Sequence, residues 1–382
     1  MTILAIQGDA IAALQSECGK TSRNTQRTFV QLIVRDGSHG IRSTAVEARA
    51  VEEIEQGHAE GFGVTTIVRF PPTFFAIAFG LFGLAGIWRV GARAFGMPIA
   101  IGDSLAILAA LVYLGLLAAF VAKAVVAPAR VANEMKNPVL SAFYSLAALD
   151  ALLLAVNLRE ILGAAAWPIL IVALVVGCAY AAWVTATWIM RDERKPDDLH
   201  YGYLLPTVAM GLLGGDALAF FGMPQIGTMF FGVGVLCWLV LASMIGFRMI
   251  SVAPRIVAAL MPTLAIELAP PAVAGNAYLS ITGGHIDTVV LILAGYSVFL
   301  ALQQLVLITM YCKLTFFSGF WSFTFPWAAT AIFSERLSIA SHQPTVTVIA
   351  GALTLAVTLL IAVIAVRSIV EIVRGTFVPK PV

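Results

Sequence analysis

Charge is what this chain has least of: Asp, Glu, Lys and Arg make up 12% of its 382 residues, against about 25% in a soluble globular domain. With 60% hydrophobic residues and a mean hydropathy of +0.93, there is too little polar side chain to cover a water-soluble fold. The chain reads as an all-α integral membrane protein. Apolar blocks of about 20 residues recur along most of it, each long enough to cross a hydrocarbon layer as a helix. The ten-residue alternation of a barrel strand is missing, and lipid-exposed backbone outside a barrel must satisfy itself as helix.

Other absences remove function classes. The four cysteines, Cys18, Cys178, Cys237 and Cys312, show no CxxC spacing and read as small packing residues. The five histidines, His39, His58, His200, His285 and His342, fall in the N-terminal stretch or in connections. No span therefore offers paired haem ligands, and HExxH is absent. Without GxGxxG, GxxxxGKS/T or GxSxG, nucleotide-driven pumping and serine catalysis have no motif. The sequence predicts no enzyme, no cofactor, no metal site and no nucleic-acid partner.

Residues 1–65 are polar and lack an apolar segment between a basic start and a small-residue cleavage site, so they are not an ordinary signal peptide. They read as a flexible cytoplasmic tail in which 45–60 could form one amphipathic helix; an over-extended start codon is the alternative. Residues 66–376 form the transmembrane domain and 377–382 a second short cytoplasmic tail.

Apolar runs give ten spans: 70–88, 101–122, 138–157, 166–190, 202–222, 225–247, 257–281, 287–312, 316–333 and 345–372. With the N-terminus in the cytoplasm, only Arg89, Arg93, Arg159 and Arg336 of the 23 basic residues lie outside, as the positive-inside rule requires. Both termini are then cytoplasmic, in an inner (plasma) membrane protein that crosses an even number of times.

Proline marks the odd spans: Pro71 and Pro72, Pro138, Pro206, Pro262 with Pro270 and Pro271, and Pro326. The even spans lack it apart from Pro168, so the chain divides into five hairpins, each pairing a kinked helix with a regular one. A helix start tolerates proline because the lost amide is unpaired there anyway, which accounts for Pro71, Pro138 and Pro206. It does not account for Pro270, Pro271 and Pro326, near the middle of their spans. Freed backbone at that depth is tolerated where protein or a water-filled pathway satisfies it, which points to odd helices surrounding a pathway.

Three acids lie inside spans, Asp150, Asp216 and Glu267, and an intramembrane carboxylate is a functional candidate by default. Glu267, beside broken helix, is the first candidate for a proton or substrate site and Asp150 the second; protonation or a hydrogen bond between helices is the competing explanation. No Lys or Arg lies deep in a span. An anion pathway would have to rely on backbone amides at interrupted-helix starts.

Six segments in order, PPTFFAIAFGLFGLAGIWR (71–89), NPVLSAF (137–143), YLLPTVAM (203–210), MFFGVGVLCW (229–238), LAPPAVAGNAYLSITGGHIDT (268–288) and GFWSFTFP (319–326), resemble the tellurite-resistance/dicarboxylate transporter family. That family includes the bacterial tellurite-resistance permease, fungal malate permeases and plant slow anion channels. The resemblance implies a homotrimer whose protomers each hold ten transmembrane helices, five hairpins in quasi-five-fold symmetry around a central pore, lined by the proline-kinked odd helices at Pro72, Pro138, Pro206, Pro270 and Pro326. It also implies that Phe325, on the ninth helix, plugs that pore. Three departures blur the substrate: Asn137 where the family often has His, VAMG at 208–211 where Asn often follows VA, and LASM at 241–244 where bacterial permeases tend to carry Glu-Pro.

Helical spacing puts Ser318, Trp321 and Ala329 on the Phe325 side of the ninth helix and Phe320, Phe323 and Trp327 on the opposite side. Two aromatic faces imply two roles, although packing and interfacial anchoring are the usual fate of membrane aromatics. The sequence thus predicts an anion channel or facilitative permease for small anions, chloride- or nitrate-like, dicarboxylate or tellurite, with membrane lipid around it. A proton-coupled dicarboxylate or tellurite carrier using Glu267 or Asp150 is the rival, and a membrane sensor or scaffold with residues 1–65 as its output is the third reading.

Overall fold

The computed structural model describes residues 69–192, 198–251 and 256–377, with no strand among them. These residues belong to one compact unit, Thr65–Val382; the expected tail at 1–65 and its amphipathic segment lie outside them. The helices are α1 Pro72–Phe95, α2 Ile99–Val126, the short α3 Pro128–Lys136, α4 Pro138–Asn157, α5 Arg159–Met190, α6 Tyr201–Phe220, α7 Pro224–Ser251, α8 Ala258–Ile281 and α9 Thr288–Tyr311. Then come α10, a 3-10 stretch Ser318–Phe323 continued by Thr324–Ser341, and α11 Pro344–Val373.

Among the described residues, nine of these helices are long and apolar enough to cross a membrane. Neither α3 nor α10 is among them. The predicted ninth span, 316–333, runs on as helix to Ser341 and so takes in Glu335 and Arg336. The remaining predicted spans match helices to within a few residues, except that α5 begins earlier, at Arg159, and α1 ends later, at Phe95.

Five helices close a ring: α1 packs on α4, α4 on α6, α6 on α8, α8 on α10, and α10 back on α1. Within the most apolar stretches of α1, α4, α6 and α8, 61–72% of residues are buried, against 17–28% in α2, α5, α7, α9 and α11. The latter five form an outer layer whose Leu, Val and Ile face outward, which only a lipid solvent makes favourable. Each hairpin is antiparallel. Lys123, at the end of α2, reaches Phe70 O at the start of α1 (2.7 Å), and Trp321, at the start of α10, donates to Ser368 near the end of α11 (2.9 Å). Lys123, Lys136, Arg191, Arg248, Lys313 and Arg367 thereby share the face at which α1 begins, called the basic face below.

The inner helices change winding part-way. In α1 a 3-10 turn gives way to α-helix at Phe75, in α4 at Leu146, and in α10 at Thr324. In α6 a 3-10 turn and a π segment, Leu205–Ala209, precede α-helix from Met210; in α8 the 3-10 stretch Ala258–Leu268 precedes α-helix from Ala269. By contrast α2, α7, α9 and α11 are α-helical throughout. Pro270, Pro271 and Pro326 sit in the first turn of the α-helical halves.

The residue before each junction, Phe74, Ser145, Ala209, Leu268 and Phe323, keeps right-handed helical angles. The junctions are therefore continuous. Amides that an interrupted helix would leave free are taken up by the preceding turn, so the backbone anion site expected from the sequence has no free helix ends to form it.

α10 lies close against α1 because α1 carries Gly80, Gly83 and Gly86 along the contact. A Cβ on Gly83 would stand 2.8 Å from Ala328 Cβ and 3.3 Å from Phe325 Cδ2, and one on Gly86 would stand 2.9 Å from Ile332 Cδ1. At the other end of the chain, Phe377, at the start of the expected short cytoplasmic tail, packs its ring on Phe74 with centroids 5.2 Å apart.

Candidate functional site

The winding junctions surround a central cavity. Every inner helix contributes to its wall: Ala76 and Phe79 from α1, Phe143 and Leu146 from α4, Val208 and Leu212 from α6, Pro270 and Val273 from α8, and Ser322, Phe325 and Pro326 from α10. No lining residue is charged. Inside it the Phe325 ring stacks on Phe79, centroids 3.7 Å apart and planes 24° apart, and both rings are buried. Apart from the Ser322 hydroxyl, an ion at this level would meet hydrocarbon, with little to replace its hydration shell.

Of the residues singled out from sequence, Phe325, Pro270 and Pro326 border this cavity, while Pro72, Pro138 and Pro206 belong to their helices elsewhere. Glu267 is not in the cavity wall. Asp150, in α4, is fully buried, and neither carboxylate oxygen has a hydrogen-bond partner among the described residues. The structure thus does not bring Glu267 or Asp150 to Phe325.

Several functional-looking groups were not legible in the sequence. Phe79 is one, its ring indistinguishable in the text from the other Phe of α1. A second is a clip across three inner helices: Arg336 Nη1 donates to Asp216 Oδ1 (3.1 Å), Ser280 Oγ (2.7 Å) and Asn276 O (2.9 Å), and Ser280 Oγ donates to Asp216 Oδ1 (2.5 Å). This ties α6, α8 and α10 together. Beside it, Glu335 points away, fully buried, and accepts from Thr354 Oγ1 of α11 (2.5 Å).

On the basic face, Lys123 Nζ donates to Glu134 Oε2 (2.6 Å), which also accepts from Tyr144 (2.7 Å), so α3 is fastened to the starts of α1 and α4. His200, just before α6, is buried with its Nδ1 accepting from Gly202 N (3.1 Å), and its ring stacks on Phe143 of the cavity wall. Burial, with a smaller contribution from the Arg248 charge, brings its pKa down to about 4.

Among the described residues no cluster of three or more His, Cys, Asp or Glu could hold a metal. Residues 69–369 match the SLAC1 family, described as voltage-dependent anion channel. Over 286 residues, 73% of this chain and 84% of the relative, the sequence is 26% identical to the tellurite resistance protein TehA homolog of Haemophilus influenzae.

Proposed function

The chain belongs to the SLAC1 family of voltage-dependent anion channels, and from that premise we propose that it conducts small anions through the inner ring past a gate made by Phe325. The coarser statement, an anion channel or permease in a membrane, follows from the family and the apolar helices. The observation that carries the finer one is a single apolar cavity walled by all five inner helices, into which Phe325 projects against Phe79. Leaving an ion unpaired in such a site costs several kcal/mol even after relaxation, enough to hold conductance low while the rings are stacked. Swinging Phe325 aside would admit water and remove that cost. Pro326, at the foot of the α-helical half of α10, supplies the place where the backbone gives.

In this reading α10 is a tenth crossing, the five hairpins are quasi-symmetric about the pore, and both termini face the cytoplasm of an inner (plasma) membrane protein. Three copies with one pore each is the assembly that the family resemblance implies. Chloride and nitrate are the first candidates, because a wall without cations selects ions that dehydrate easily; dicarboxylate or tellurite are the alternatives. Flux into proteoliposomes of chloride, nitrate, malate and tellurite, compared side by side, tests this. Equal, background-level flux of all four, in the unaltered chain and in Phe325→Ala alike, would defeat it.

Asp150 supports a second reading. A fully buried carboxyl without a hydrogen-bond partner among the described residues suits a site that carries a proton, as in an anion–proton carrier, with Glu267 as the other candidate.

A further inference from the structure

The outer layer is incomplete at one place. α2 packs on α4, α5 on α6, α7 on α8 and α11 on α1, each outer helix bridging to the next inner one, but α9 makes no comparable packing on α10. A long groove opens there between α9 and α11, with α10 as its floor. Along α11 it runs from Val346 to Arg367, about 30 Å at 1.5 Å per residue, the thickness of a bilayer's hydrocarbon core.

Its floor holds Phe320, Phe323 and Trp327, the second aromatic face of α10. Its wall is apolar over most of its length and ends at the basic face on Arg367. Lys313, next to the groove-lining Cys312 and Leu314, stands at the same end. Both cations are exposed, and no described carboxylate forms an ion pair with either.

We propose that this groove binds one anionic phospholipid, its phosphate between Arg367 and Lys313 and an acyl chain along Phe320, Phe323 and Trp327. Charge complementarity selects the occupant. A second copy of this chain, oriented alike in the membrane, would bring its own Lys- and Arg-rich face to the same rim, whereas an anionic headgroup brings the opposite sign. An acyl chain also fits an apolar trough of bilayer length without further polar partners. The site does not depend on Phe325 acting as a gate, since it involves the other side of α10.

Tryptophan quenching in proteoliposomes tests it, with dibrominated phosphatidylglycerol or dibrominated phosphatidylcholine as the probe. The contribution of Trp327 is the difference between the full chain and Trp327→Phe. Two cations near a headgroup favour the anionic lipid by about tenfold or more, so the Trp327 signal should be quenched at far lower fractions of brominated phosphatidylglycerol than of brominated phosphatidylcholine. Arg367→Gln with Lys313→Gln should abolish that preference, and Arg367→Gln alone should reduce it. Equal quenching by both lipids, or a preference surviving the double substitution, would overturn the proposal. So would a Trp327 that neither lipid quenches, the result expected if a second copy covers the groove.

Discussion

The ring of Phe325 lies nearly parallel on the ring of Phe79, centroids 3.7 Å apart, closer than the 4.5–7 Å at which aromatic pairs usually settle. The proposed gate therefore draws on two helices, α10 with one ring and α1 with the other. Phe79→Ala removes the backing but leaves the plug, and should raise basal anion current by about tenfold, equivalent to roughly 1.4 kcal/mol off the barrier. Patch recording of purified protein in bilayers reads this, and an unchanged current would show that Phe79 is only packing.

Gly83 sets how closely α10 approaches α1. Gly83→Ala places a methyl 2.8 Å from Ala328 Cβ and 3.3 Å from Phe325, an overpacking that costs about 1–3 kcal/mol. A lower thermal midpoint in detergent is expected. Gly115→Ala, where a methyl would meet nothing within 4 Å, is the control and should leave the midpoint level or slightly higher.

The Arg336–Asp216 clip joins α6, α8 and α10 with both side chains partly exposed, 25% and 18%. Its coupling should thus be modest, about 1 kcal/mol in a double-mutant cycle of Asp216→Asn and Arg336→Gln. Additive losses of stability would mean that the two residues act separately.

His200 predicts how stability follows pH. Its folded-state pKa of about 4 lies below the ordinary 6.5, so below pH 6.5 the unfolded chain takes up a proton that the folded one refuses. The stabilisation is complete above pH 6.5 and falls away down to about pH 4, amounting in full to about 3 kcal/mol. Thermal midpoints should drop between pH 7 and 5, and His200→Gln should flatten that drop. An identical slope in the variant would contradict the assignment.

Much of the architecture was legible in the text. Span positions followed from hydropathy, and the division into regular and irregular helices followed from proline: every inner helix changes winding, at Phe75, Leu146, Met210, Ala269 and Thr324. What proline could not say is how the change is made. Pro270 and Pro326 read as breaks, yet a 3-10 turn runs into α-helix there without freeing an amide. Phe325 was singled out by a family motif and by its helical face, and it does line the cavity. Phe79, Asp216 with Arg336, and Glu335 with Thr354 were not legible, because each depends on which helices become neighbours across a ring. The length of α10 was underestimated for a related reason: Glu335 and Arg336 look like the end of a span until Thr354 and Asp216 are there to receive them.

Channel and carrier separate on the reversal potential. A channel follows the anion gradient alone, so the potential for chloride should stay fixed between pH 6 and pH 8, and Asp150→Asn and Glu267→Gln should leave it unmoved. A shift with pH that either substitution removes would favour the carrier.

The most direct measurement is the anion current through Phe325→Ala, recorded in planar bilayers or oocytes beside the unaltered chain with surface expression matched. A ring that closes an uncharged pore predicts a basal current larger by about a hundredfold, the effect of removing roughly 3 kcal/mol of dehydration barrier. A correctly inserted Phe325→Ala that passes no more current than the unaltered chain would contradict the gate.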